Sequence, residues 1–154
     1  MTATTEMTDA TRAVELVERT ITELGLDPTE SKRERDDRIT YALRRGSARL
    51  LVAVHLPTEK RAEGCLRVVA PVVRDVAEDD QRALYRWLLE VNASELVGAA
   101  FGISQDEVVV VAERGFRDLD RSEVDAMIKN VGRIADKYDD VIADELGAIR
   151  SSDA

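Results

Sequence analysis

Residues 79–106, DDQRALYRWLLEVNASELVGAAFGISQD, carry two hydrophobic periods back to back, and the switch between them limits what the chain can fold into. Leu84, Trp87, Leu88 and Val91 recur at three- and four-residue steps, so they share one face of a helix. Ala99, Phe101 and Ile103 then alternate with Ala100 and Gly102, the two-residue period of a strand. The chain leaves helical geometry near Asn92 and returns as a strand. Its only tryptophan, Trp87, falls on the apolar stripe.

The flanking sequence supplies the partners this stretch needs. From Thr8, the residues Ala10, Ala13, Val14, Val17, Ile21 and Leu24 make one helical stripe, capped by Thr8 or Asp9 and closed by Gly25 and Pro28. Residues 29–38 are almost wholly charged and read as an exposed loop or a weak helix. Ile39 to Leu56 alternates on both sides of a turn at Arg45, Gly46 and Ser47, which is a hairpin. Cys65 to Val76 is a third strand; Pro71 inside it cannot donate to a ladder, so this strand reads as an edge or as bulged. The helix of the opening stretch follows, with Asp79 as its N-cap. Gly98–Ile103 and Glu107–Ala112 then flank a short turn and form a second hairpin. Asp120 with Glu123 three residues on is the reciprocal cap of a last helix. Its apolar stripe lasts about seven turns, roughly 40 Å, more than one sheet of a small domain requires.

The order is α-β-β-β-α-β-β-α, and tight turns make the strands antiparallel, so the class is α+β. One domain over residues 8–149 is expected, with disordered ends at 1–7 and 150–154. Net charge is −9, which disfavours general binding to nucleic acid or anionic membrane. No apolar run approaches the roughly 20 residues of a membrane span, and the start of the chain lacks the pattern of a signal peptide. A lone cysteine, Cys65, excludes an internal disulfide and suits a reducing cytoplasm.

Two segments carry a family resemblance. WLLEVNASELVGAAFGISQDEVVVVAE, residues 87–113, resembles the YbjN pattern of a leucine-rich helix ending in Leu-x-x-Asn, a loop, a Gly-flanked strand and a valine-rich partner. DLDRSEVDAMIKNVGRIADKYDDVIADEL, residues 118–146, resembles the C-terminal helix of the same family, which is akin to the type III secretion (CesT-like) chaperones. The charged segment 29–38 and the longer last helix make the YbjN type the closer fit. The resemblance implies a five-stranded antiparallel sheet with three helices. It also implies a non-catalytic protein-binding module, a peptide-binding chaperone or regulatory adaptor, dimeric and without a cofactor.

No Gly-rich phosphate loop, nucleophile elbow or metal-spacing motif occurs, so the chain reads as no enzyme, with no catalytic, cofactor or metal residues. His55 lacks a second histidine and reads as structural; Cys65 reads as a small buried side chain. Asp136, Asp140 and Asp144, with Asp139 and Glu145, form an acidic ladder that reads as a solvated helix face rather than a cation site. Two surfaces remain for partners. One is the helix stripe of Leu84, Trp87, Leu88 and Val91, for a second copy of the chain or a client protein. The other is Arg44, Arg45 and Arg49 at the first hairpin tip, which carries the alternative reading of a nucleotide or nucleic-acid binding regulator.

Overall fold

The computed structural model of the chain describes residues 3–146 and 149–150, with side chains described over 8–145. The first helix, α1 (Ala3–Glu23), begins five residues before the sequence places it, so helix replaces the disorder expected over 3–7. Residues 1–2 and 151–154 lie outside the described residues. Gly25, at φ 83°, ends α1: the Leu26 N–H donates to the Ile21 carbonyl at 3.2 Å, the six-to-one bond of a Schellman motif.

Next come α2 (Pro28–Ser31), β1 (Arg33–Glu34), β2 (Arg38–Arg45), β3 (Ala48–His55) and β4 (Cys65–Arg74). Residues 29–38 are therefore not a plain loop. Asp27 caps the single turn of α2 by accepting from the Thr29 N–H, and Arg33 and Glu34 pair with Thr40 and Ile39. The chain continues with α3 (Glu78–Ser94), β5 (Ala100–Ser104), β6 (Glu107–Gly115), α4 (Arg121–Leu146) and β7 (Ile149–Arg150). Ala77, not Asp79, precedes α3, and it makes no side-chain cap; three acidic residues in the first turn complement the helix dipole instead. The box at α4 is present: Asp120 N–H donates to Glu123 Oε2, and Glu123 N–H donates to Asp120 Oδ1, both at 2.9 Å.

The strands are hydrogen-bonded in the order β1-β2-β3-β4-β6-β5, with β7 pairing β4 off this path. The antiparallel α+β class holds, with six strands along the path where five were expected and β7 as a seventh. The added strands β1 and β7 have two residues each. Of the two readings of Pro71, the edge is overturned: β4 lies between β3 and β6, an interior place. One missing donor costs a single ladder bond, which the neighbours on both sides outweigh. The edges of the path are β1 and β5.

The chain divides into two compact units. The first comprises Met1–Leu43, Leu51–Val68 and Glu113–Ile128. Val17 and Ile21 of α1 are buried there with Tyr41, Val52, Val54, Leu66, Val68, Leu119, Val124 and Ile128. The Tyr41 hydroxyl donates to Glu18 Oε1 at 2.7 Å, and Lys32 Nζ meets the same oxygen at 2.8 Å. Burial, and then this bond, push the phenol pKa well up, while the bonds from Lys32 and Tyr41 hold Glu18 low. The second unit comprises Arg44–Leu50, Val69–Ala112 and Lys129–Ala154. Its core includes Leu50, Val72, Leu84, Leu88, Val91, Phe101, Val108, Val110, Ile134, Tyr138 and Ile142. Burial of Ile142 and the pairing of Arg150 with Val73 show that the end of α4 is packed rather than projecting.

Candidate functional site

Helix α3 and edge strand β5 together line an apolar depression in the second unit. Leu84, Leu88 and Val91 point inward and are 3–4 % exposed. Trp87, half-buried, lies 6.0 Å from the Tyr138 ring at 58°, and Phe101 meets that ring edge-on at 5.2 Å. The Tyr138 hydroxyl donates to Glu95 Oε2 at 2.9 Å, and burial followed by that bond raises its pKa. Tyr138 thereby ties α3 and β5 to α4. Outside this cluster a cavity of about 230 Å³ is lined by Tyr85, Leu88, Leu89, Phe101, Gly102 and Ile103. Leu89 is 66 % exposed and Ile103 51 %.

The backbone beside this cavity is equally informative. Gln105 and Asp106, with φ of 50° and 65°, form the two-residue turn between β5 and β6. The closing pair Ser104 and Glu107 of such a turn exchanges both main-chain bonds, and the pairs alternate from there. Gly102–Val109 and Ala100–Val111 are then bonded pairs, while Ile103–Val108 and Phe101–Val110 are not. Phe101 and Ile103 thus turn their N–H and C=O away from β6, toward the outer edge of the sheet. At Phe101 both groups meet Asn92: the Phe101 N–H donates to Asn92 Oδ1 at 2.7 Å, and Asn92 Nδ2 donates to the Phe101 carbonyl at 3.1 Å. No strand follows β5 in the order, so among the described residues the edge at Ile103 has no strand neighbour.

Of the residues chosen from sequence, Leu84, Leu88 and Val91 form the buried face of α3, and only Leu88 reaches the cavity. Tyr85, Leu89 and Ile103, which also line it, lie outside the partner-binding residues that the sequence pattern points to. The adjacent pair Leu88-Leu89, one leucine on the stripe and one beside it, was the available signal.

The basic hairpin tip is separate from this cavity. Arg44 is exposed; Arg45 and Arg49 are half-buried. Ser47 at the tip donates its hydroxyl to Asp136 Oδ1 and contacts Asp139 Oδ2 at 3.2 Å, so any phosphate there would meet carboxylates. Asp139 is only 4 % exposed, which corrects the expectation of a wholly solvated acidic face. Burial pushes its carboxyl pKa up.

His55 and Cys65 lie in the first unit. Burial, then Arg67, Arg61 and Arg38, hold the histidine pKa down. Arg61 Nη1 donates to Cys65 Sγ at 2.9 Å, yet burial dominates and raises the thiol. Among the described residues no group of three metal-ligating side chains comes together, and no helix is long and apolar enough to cross a membrane.

The sequence pattern of the T3SS (YopN, CesT) and YbjN peptide-binding chaperone family 1 matches residues 11–153. The chain belongs to this family. Its members are peptide-binding chaperones, which gives the exposed apolar depression on α3 and β5 a functional frame. No curated protein matches the chain in sequence. Among solved structures, a chain of the ExsC–ExsE complex is similar with a TM-score of 0.58 and 16% identity, over 84% of this chain and 92% of that one. A chain of the HopA1–SchA chaperone–effector complex is similar with a TM-score of 0.60 and 11% identity, over 87% of this chain and 97% of that one. At such identities the likeness speaks for the fold.

Proposed function

We infer that this chaperone captures an extended segment of a partner protein along the outer edge of β5, with apolar side chains of that segment seated in the α3–β5 cavity. The observation that carries the reading is the juxtaposition of a main-chain edge at Ile103, without a strand neighbour among the described residues, with an apolar depression rimmed by Leu89. Strand addition draws affinity from backbone bonds and selectivity from side-chain pockets, and both are offered here within one strand. The two similar complexes, one of them a chaperone–effector complex, support an effector-type protein as the client. Leu84, Trp87, Leu88 and Val91 serve this site by anchoring α3. The activity is binding without catalysis. Residues 8–149 act as one domain, in the cytoplasm and as a homodimer.

The test is capture of co-purifying protein from the native host by tagged wild-type chain, Leu89→Asp, and Arg44/Arg45/Arg49→Glu. A defined client lost with Leu89→Asp and kept by the arginine variant supports the groove. A client that ignores Leu89 and is lost with the arginines moves the site to the hairpin tip.

A further inference from the structure

The outer edge of β5 has two hydrogen-bonding positions that differ in state. At Phe101 the N–H and C=O are both engaged by the carboxamide of Asn92. One amide that accepts and donates in this way stands where the peptide group of a neighbouring strand would stand. At Ile103, two residues or about 7 Å along the strand, the same pair of groups lies on the outer edge, in a residue that also lines the cavity. An uncovered edge next to apolar surface is also a template for unlimited strand pairing, which proteins blunt by covering or interrupting it.

We propose that Asn92 is a register stop. By filling the position at Phe101 it confines pairing on β5 to Ile103 and fixes where an incoming strand begins. The occupant is an extended segment of a partner protein with net positive charge, complementary to the −9 of this chain. A cavity of about 150 Å³ takes one benzene ring, so the 230 Å³ beside Ile103 takes one or two aliphatic side chains of that segment. With a single backbone pair on offer, selectivity falls on those side chains. The inference rests on the groove reading above and adds the residue that sets its register.

Amide hydrogen exchange on the full chain tests it, using wild type, Asn92→Ala and Asn92→Asp. The probe is a capped octapeptide alternating leucine and valine with threonine, with lysine at each end. In the free protein Phe101 exchanges more slowly than Ile103; Asn92→Ala speeds Phe101 by about tenfold, the worth of one lost hydrogen bond. Asn92→Asp keeps the acceptor for the Phe101 N–H, retains its protection, and serves if the alanine variant fails to fold. Saturating probe slows Ile103 in every folded variant, and slows Phe101 only in Asn92→Ala. Slowing of both amides by the probe in wild type or Asn92→Asp overturns the proposal, as does pairing limited to Ile103 in Asn92→Ala. If the probe shifts the Leu89 and Ile103 methyl signals while either of those results is found, the groove stands and the stop falls. No shift at Leu89 or Ile103 in any variant removes both.

Discussion

Leu84 and Leu89 are five residues apart on one helix, and truncating each gives opposite outcomes. Leu84 is 4 % exposed and packs under α3, so Leu84→Ala deletes buried methyl groups and leaves a void, at a cost of about 3 kcal/mol. For a chain of this length that lowers the melting temperature by about 6–12 °C. Leu89 is 66 % exposed and lines the cavity, so Leu89→Ala changes stability by less than about 0.5 kcal/mol. Denaturant unfolding followed by Trp87 emission measures both, and client binding at a temperature where each variant is folded gives the second axis. Leu84→Ala is expected to unfold early yet bind when folded; Leu89→Ala is expected to stay stable and bind weakly. Equal destabilisation by the two substitutions would refute the assignment of the outward face. Binding lost with Leu84→Ala but kept with Leu89→Ala would return the site to the buried stripe.

Other perturbations test the remaining physics. Glu18, held below its usual 4.5 by Lys32 and Tyr41, contributes stability that is present above that value and lost as pH falls through the folded pKa. Lys32, raised above 10.5 chiefly by its bond to Glu18, contributes stability present below that value and lost as pH climbs past it. Glu18→Gln should flatten both limbs of a stability-against-pH curve, and an unchanged acid limb would discount the pair. Asp139 has the opposite sign for a carboxyl: raised above 3.8 by burial, it favours the fold below that pH and loses this as pH rises through the folded value. Asp139→Asn should remove that loss and melt no lower than wild type near neutrality; a large drop would mean the charge itself is needed by Ser47. Gly64→Ala places a methyl 2.5 Å from Phe116 Cε2 and 2.6 Å from the His55 carbonyl oxygen, and should cost about 1–3 kcal/mol in denaturant unfolding. Wild-type stability in that variant would show that the β3–β4 connection yields freely.

Much of the fold was legible because local pattern and tertiary outcome agree. Alternation located the long strands, Gly25 stopped α1 and Asp120 with Glu123 opened α4. Two-residue strands such as Arg33–Glu34 are too short to show a period, so they emerge only from pairing. The edge reading of Pro71 misled because a missing donor is a local property, whereas the place of a strand in a sheet is decided by its neighbours. The edge status of β5 is non-local for the same reason, which hid Ile103. Leu89 lies one residue off the stripe, where periodicity expects polar residues, and Asp139 is buried because a hairpin from far along the chain sets Ser47 against it.

The pairing of Trp87 with Tyr138 gives this molecule an optical reporter beside the proposed groove. There is one indole in the chain, so light emitted beyond the tyrosine band comes from a single known place. It sits on α3 within one helical turn of Tyr85, Leu88 and Leu89, and its ring is 6.0 Å from a phenol close enough to pass excitation to it. Excitation at the tyrosine wavelength should therefore appear as tryptophan emission, and a shift of α3 against α4 changes its intensity and colour. Occupancy of the groove can be followed in unlabelled protein, in real time.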